Sequence, residues 1–283
     1  MRLSFEFFPP KSDAGLRQLS DTARDLMGWQ PDFVSVTCGA GGSAIDGTFA
    51  TVRHLRETLG LTAVPHVTFL RQSRSYLDEI LRAYKKLGVH QVIALRGDPA
   101  AVGHAPEIPS HDVYVNTIDF VAVLKNLYGM EPMIAAYPDI HPLAASPQQD
   151  MDHLKRKVEA GARRAITQFF FEAETFLRFR DQVQRASIPV ALTPGILPVH
   201  NLAQTLKFAA SCGAKIPDDF AERFERCGGD DAALQNEGVT HATRLCETLR
   251  KAGVEDFHFY TLNHSAMVNE VCAAMNIAHA PQT

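Results

Sequence analysis

The sequence predicts an α/β fold, a single (β/α)8 TIM barrel with extra helices before its last strand. Three observations carry that reading. Short β-branched or aromatic runs alternate with longer amphipathic segments, making about eight β-then-α units, the number that closes such a barrel. The chain has 283 residues, against the roughly 250 that one barrel typically needs. No GxGxxG follows any strand-like run, so the competing doubly wound open sheet lacks its dinucleotide fingerprint.

The elements follow in order. LSFEFF (3–8) opens the chain as a strand, and Ser12–Met27 has the spacing of a helix. FVSVTC (33–38) and HVTF (66–69) are the next strand runs, and Ser73–Leu87 is helical. QVIAL (91–95), PMIAAY (132–137) and AITQFFF (165–171) are nearly continuous apolar runs, as expected of strands buried on both faces. Pro147–Ala160 and Ala173–Arg185 supply helices after the last two of these. In Ala173–Arg185, Phe176, Leu177, Arg180 and Val183 recur at helical spacing. PVALTPGI (189–196) and FHFYTL (257–262) complete the strand set. Residues 198–254 break the rhythm, with two or three helices punctuated by Pro217 and Gly228–Gly229. No linker or repeat divides the chain, so one catalytic domain spanning 1–283 is expected. The tail after Asn276 carries no pattern.

Composition narrows the function classes. A net charge of -4 without a basic block argues against nucleic-acid or membrane-surface binding. No run approaches the roughly 20 apolar residues of a membrane span, and MRLSFEFFPP is not a secretory signal. Cys38, Cys212, Cys227, Cys246 and Cys272 are widely spaced and form no CxxC pair. They read as reduced thiols of a cytoplasmic protein, with neither a disulfide framework nor a metal site. Exposed barrel helices leave a homo-oligomer open.

Function is suggested by polar residues at the strand ends, where this fold keeps its chemistry. Glu6 lies in FEFFPP, Thr37 in SVTCGAGG, His66 in PHVTF and Asp98 in ALRGDP. Tyr137 and His141 occupy YPDIHP, Gln168 sits in ITQFFF, and Asn263 ends FYTLN. Each also has a structural reading: an ion pair for Glu6, a satisfied core imidazole for His66, turn chemistry for Asp98, a backbone partner for Gln168. Their recurrence on successive strands points to a pocket at the barrel mouth, because a lone buried carboxylate or imidazole is costly. Anion recognition is marked more weakly. Lys155, Arg156 and Lys157 share a helix with His153, and such a run also reads as a solvated face. Gly39–Gly42 has backbone N–H groups to offer but no P-loop lysine.

Taken together, FEFFPPK, VSVTCGAGGS, HVTF, ALRGDP, AAYPDIHP, LKRKVEAGARRAITQFFFE, PGILPV and FHFYTLN resemble the methylenetetrahydrofolate reductase family, in order, from residue 5 to about 263. The likeness is to the short bacterial type, without a regulatory extension. It implies reduction of 5,10-methylenetetrahydrofolate to 5-methyltetrahydrofolate with non-covalent FAD and a reduced nicotinamide, NADH or NADPH, in a ping-pong sequence at one shared site. By the same resemblance Glu6 is the general acid that protonates N10 of the folate. That role needs a carboxyl still protonated near neutral pH, and Phe5, Phe7 and Phe8 are candidates for the apolar surroundings that would keep it so. Asp98 is placed near the flavin pyrimidine edge and the pterin, where its charge disfavours the anionic reduced flavin.

The resemblance further implies flavin contacts at Thr37, Cys38, Ala40, His66, Arg96, Gly97, Tyr137 and His141. The rest of FAD, including its diphosphate, falls to Asp150, His153, Arg156 and Lys157. Gln168, Gln204 and Phe208 are implied as substrate contacts, Gln168 being shared with the nicotinamide. Two positions depart from the family pattern. His264 stands where an arginine for the folate glutamate is expected, exchanging a permanent bidentate charge for a mostly neutral ring. His153 stands where asparagine is common. Two other classes of function remain open on the residues alone: a flavin-free barrel enzyme acting on another pterin or an anionic metabolite, and a non-catalytic binding relative.

Overall fold

A computed structural model of the chain describes residues 1–38, 43–97 and 108–280. Its first strand, β1 (Arg2–Phe7), pairs in parallel with β2 (Phe33–Val36) on one side and with the last strand, β9 (Asp256–Tyr260), on the other. From β2 the sheet continues in sequence order through β3 (Ala63–Thr68), β4 (Gln91–Leu95), β5 (Glu131–Ala136), β6 (Arg164–Thr167) and β7 (Ala191–Thr193). The short β8 (Gly195–Ile196) lies at the far end of that order, beside β9. The run expected as one strand, PVALTPGI, is therefore split at Pro194, which has no N–H to donate to a ladder. Its first half pairs with β6 and its second with β9, and the sheet closes. Eight chain segments thus form the barrel, as the alternation predicts.

Closure demands a glycine. A Cβ on Gly195 would sit 2.2 Å from the Thr167 carbonyl oxygen and 2.6 Å from the Tyr260 ring. The Gly195 N–H instead donates to Thr167 Oγ1 at 3.0 Å, while the Tyr260 hydroxyl donates to Thr167 O at 2.8 Å.

Between the strands run α1 (Asp13–Met27), α2 (Ser43–Glu57), α3 (Arg74–Lys86), α4 (Thr117–Asn126), α5 (Pro147–Glu159) and α6 (Ala173–Arg185). Ser12, Ser73, Asn116 and Ser146 cap α1, α3, α4 and α5 by accepting a backbone N–H three residues on. The serines that begin the first two sequence-predicted helices are thus caps. The irregular region resolves into α7 (Leu202–Cys212), α8 (Phe220–Glu225) and α9 (Asp231–Lys251), so the extra helices form as expected. A last helix, α10 (Ala266–Ala274), was not anticipated. No helix among the described residues is long and apolar enough to cross a membrane.

Strand alternation sets what faces the axis. On β1, Leu3, Phe5 and Phe7 join the core between sheet and helices. Phe33, Val64, Ile93, Met133 and Ile166, one from each of five successive strands, form a separate cluster that fills the barrel interior. Glu6 opens above it.

Candidate active site

At the mouth lies a cavity of about 380 Å³ lined by Glu6, Thr37, Cys38, His66, Tyr137 and Gln168, with Ile93, Leu95, Leu197, Phe208 and Tyr260 as apolar or aromatic wall. Of the strand-end residues, Glu6, Thr37, His66, Tyr137 and Gln168 line this cavity and His141 and Asn263 do not; Cys38 and Phe208, named by the family likeness, line it too.

Glu6 is buried at 8% exposure. Its Oε2 lies 3.3 Å from His66 Nε2 and 3.6 Å from His258 Nε2. Burial pushes the carboxyl up, but His258 and His66 facing it as donors pull it down further, to about 2. Purely apolar surroundings for Glu6, and the carboxyl still protonated near neutral pH that they would produce, are therefore both corrected: with two imidazoles facing it Glu6 is held as a carboxylate. Phe5 and Phe7 point away to the helices, as alternation along β1 requires, and two imidazoles take their place. Phe8 alone of the three lines the cavity. His258 was not singled out from the sequence, although it alternates with Phe257 and Phe259 on β9 just as Glu6 alternates with Phe5 and Phe7. It is fully buried behind Glu6, and its Nδ1 meets Ser4 Oγ at 2.8 Å.

A second group gathers on the β4–β5 side. The rings of Tyr137 and His141 meet edge to face at 4.5 Å. The His141 backbone N–H donates to Asp150 Oδ2 at 2.9 Å, and its Nδ1 accepts from Leu143 N at 3.0 Å. Asp150, His153 and Lys157 share one face of α5 by their spacing. Burial raises the Tyr137 hydroxyl to about 12, so it stays a neutral donor. Burial also lowers His141 and His153, keeping both largely neutral. Lys157 is buried at 8% exposure and its Nζ donates to the Ala135 carbonyl at 2.9 Å, whereas Lys155 and Arg156 are exposed. Desolvation lowers the Lys157 ammonium to about 8. The basic run therefore divides: one cation faces inward and two face solvent.

The sequence profile of the methylenetetrahydrofolate reductase family matches residues 1–276. The chain belongs to that family. Enzymes named 5,10-methylenetetrahydrofolate reductase from Salmonella typhimurium and Escherichia coli are each 39% identical over 277 residues, covering 98% of this chain and 91% of theirs. The family is one of oxidoreductases. A solved Clostridium thermocellum protein, described as binding two copies of 5-methyl-5,6,7,8-tetrahydrofolic acid, shares the fold with a TM-score of 0.65. At 15% identity, over 98% of this chain and 95% of that one, the likeness is of fold alone.

The remaining family positions distribute unevenly. Asp98 and Ala40 lie outside the described residues. Gly97 turns the chain after β4 with φ 96°, a left-handed value that favours glycine, and Arg96 beside it is half-buried. Gln168 lines the cavity while its Oε1 accepts from Phe169 N at 3.0 Å, so its backbone-satisfying role is real alongside any other. Gln204 does not reach the cavity wall. It is exposed in the first turn of α7, where its N–H is capped by Asn201. His264 is likewise outside the cavity, in an open groove with Arg17, Gln18 and Asp21, its Nδ1 3.5 Å from Gln18 Nε2. Asn263 has a structural task. At φ 60° it donates from Nδ2 to Phe8 O at 2.9 Å and accepts from Phe8 N at 2.8 Å, tying the end of β1 to the chain leaving β9. Among the described residues no group of three or more histidines, cysteines or carboxylates is placed to hold a metal ion.

Proposed function

We propose that the protein reduces 5,10-methylenetetrahydrofolate to 5-methyltetrahydrofolate as a single FAD-dependent catalytic domain, with NADH, or alternatively NADPH, as electron donor. Family membership supports a flavin and a pyridine nucleotide in general terms. One observation carries the finer reading: a carboxyl group flanked by imidazoles lines the cavity, and a buried, poorly compensated cation, Lys157, donates to the carbonyl of Ala135, a residue of that cavity's wall.

The residues present fit FAD. The Lys157 ammonium is withdrawn from water with only a backbone carbonyl accepting from it among the described residues, an arrangement that an anionic group completes. Lys157 and Arg156, with Asp150 and His153, would hold the diphosphate side. Thr37, Cys38, His66, Arg96, Gly97, Tyr137 and His141 would hold the ring system, with Ala40 and Asp98 added by family likeness. When bound, FAD supplies the hydride chemistry, from nicotinamide in one half-reaction and to the folate methylene carbon in the other. Glu6, ionised near neutral pH while the imidazoles face it, would pass to N10 of the folate a proton taken up with their help, and protonation there opens the five-membered ring to the hydride acceptor. Gln168 and Phe208 bind the substrates in turn within the cavity. Gln204 and His264 lie farther out, suited to the extended end of the folate. The protein works on small molecules in the cytoplasm, with no nucleic-acid partner.

An anaerobic visible spectrum tests this. Flavin bands that bleach with NADH and return with methylenetetrahydrofolate are the expected result. A colourless protein that takes up no added FAD would leave the flavin-free or non-catalytic readings in its place.

A further inference from the structure

The loop after β5 carries a strained residue. Ile140 sits at φ 98°, a left-handed value that a β-branched side chain adopts only where its surroundings impose it. Its two neighbours show what imposes it here. On one side the His141 N–H donates to Asp150 Oδ2 of α5 at 2.9 Å. On the other, Asp139 Oδ2 accepts the Lys215 backbone N–H at 3.1 Å, just beyond the end of α7. One residue separates an anchor on α5 from an anchor on α7, and Ile140 turns left-handed to serve both. Its N–H closes the turn on Tyr137 O at 3.3 Å. Gly213, which ends α7 at φ 76°, packs into the same turn. A Cβ there would meet Pro142 Cγ at 3.2 Å and Ile140 O at 3.5 Å.

Helix α7 depends on such support, because only Thr205 and Ala209 of its 11 residues are buried. Asn201 caps its first turn, accepting from Gln204 N at 2.9 Å. Near its other end the Ser211 hydroxyl and the Cys212 thiol bond back to carbonyls of α7 itself. Asp139 reaches that end from outside the helix.

This is the end that meets the cavity. Phe208, Ser211 and Cys212, at helical spacing, line it from α7, and Tyr137 lines it from the β5 loop. The two walls stand close: burial first, and then the Cys212 thiol, raise the Tyr137 hydroxyl. We propose that Asp139 is a positioning residue: by holding Lys215 N–H it sets the α7 wall against Tyr137, and so fixes the width of the cavity in which both substrates bind. The proposal rests on the reading of this cavity as the shared substrate site. It gives the strain at Ile140 a purpose, since the same short turn carries Tyr137 and aims Asp139 at α7.

Stopped-flow measurement of the flavin-bound enzyme tests it. Asp139→Ala is expected to raise the dissociation constants of methylenetetrahydrofolate and NADH together, by roughly three- to tenfold, the weight of one hydrogen bond. The limiting rates of both half-reactions and FAD affinity stay within about twofold, because the groups that react and the anchor on α5 are untouched. Asp139→Asn keeps an acceptor oxygen and restores both constants. Constants that stay in place in folded Asp139→Ala, limiting rates that fall with them, or an Asn variant no better than Ala would each overturn the proposal. Amide exchange supplies an arm that needs no ligand. Residues 208–212 are expected to exchange faster in Asp139→Ala, and unchanged protection there overturns the proposal whatever the enzyme proves to reduce. Failure of the unmodified enzyme to bind FAD or reduce methylenetetrahydrofolate would instead overturn the functional reading, and the exchange arm would still decide whether Asp139 holds α7.

Discussion

Glu6 and Lys157 are left with the same 8% exposure, one in the cavity wall and one against the backbone of β5, yet they are satisfied in opposite ways. The carboxyl faces two imidazoles, partners that exchange protons. The ammonium faces a peptide carbonyl, a partner that cannot. A group among titratable neighbours can change charge at modest cost, so it suits a reaction that moves a proton. A cation beside a fixed dipole keeps its charge only while something else compensates it, so it suits an anion that stays bound. If the proposed function holds, the first arrangement serves the proton and the second the bound anion.

The sharpest way to break this contrast is to remove each group and see which half of the activity fails. Glu6→Gln is expected to slow the folate half-reaction by roughly 10²–10⁴-fold, the usual weight of a general acid. Flavin reduction by NADH and FAD affinity should hold within about twofold. Stopped-flow measurement of the two half-reactions decides it, and equal loss in both would remove Glu6 from the acid role.

Lys157→Met is expected to do the converse. FAD binding weakens by roughly tenfold or more, on the scale of a hydrogen bond to a charged group, with the half-reactions of saturated enzyme little changed. Fluorescence titration of the apoprotein measures this. Unchanged affinity would return α5 to a structural role.

A smaller effect is carried by pH. Lys157 falls from an ordinary 10.5 to about 8 on folding. The unfolded chain therefore binds more protons between those values, and apoprotein stability rises with pH across that window. The contribution is present above 10.5 and lost as pH falls through about 8. Urea midpoints should show this slope in the unmodified apoprotein and not in Lys157→Met. Since a bound anion raises the same pKa, FAD binding at pH 8–9 should take up protons, measurable by calorimetry in buffers of different ionisation enthalpy. No proton uptake would mean that no anion sits beside the ammonium.

Smallest is His264→Arg, outside both groups. A permanent charge there should lower the folate Michaelis constant by a few-fold (~1 kcal/mol or less for an exposed pair) and flatten its pH dependence. A constant unaffected from mildly acidic to mildly alkaline pH would refute a binding role for this position.

Most of the barrel can be read from the chain because strand and helix periods differ and each apolar run is bounded by turn residues. Pro194 is the instructive exception. It sits inside a convincing apolar run, and only pairing on both sides reveals that it ends one strand and begins another. Helix α10 escaped because its start has no side-chain cap and follows two left-handed residues, Leu262 and Asn263. At the site, Glu6, His66 and Tyr137 announce themselves at strand ends. His258 does not, since an imidazole between two phenylalanines reads as strand interior, and its meeting with Ser4 and Glu6 depends on a register set 254 residues away in the chain. The KRK run fails differently. Composition names three cations, and only the phase of α5 against the sheet tells which one is inside.

The split strand has a mechanical consequence. Each neighbour of the other strands runs unbroken along it, but here three residues are paired to one side and two to the other, with an imide between them. The barrel therefore has a seam, bounded by β6 and β9, the strands that carry Thr167 and Tyr260. Amide exchange should be fastest along this line. Opening there would act on the Tyr260–Thr167 contact and leave paired the β1–β2–β3 ladder that carries Glu6 and His66.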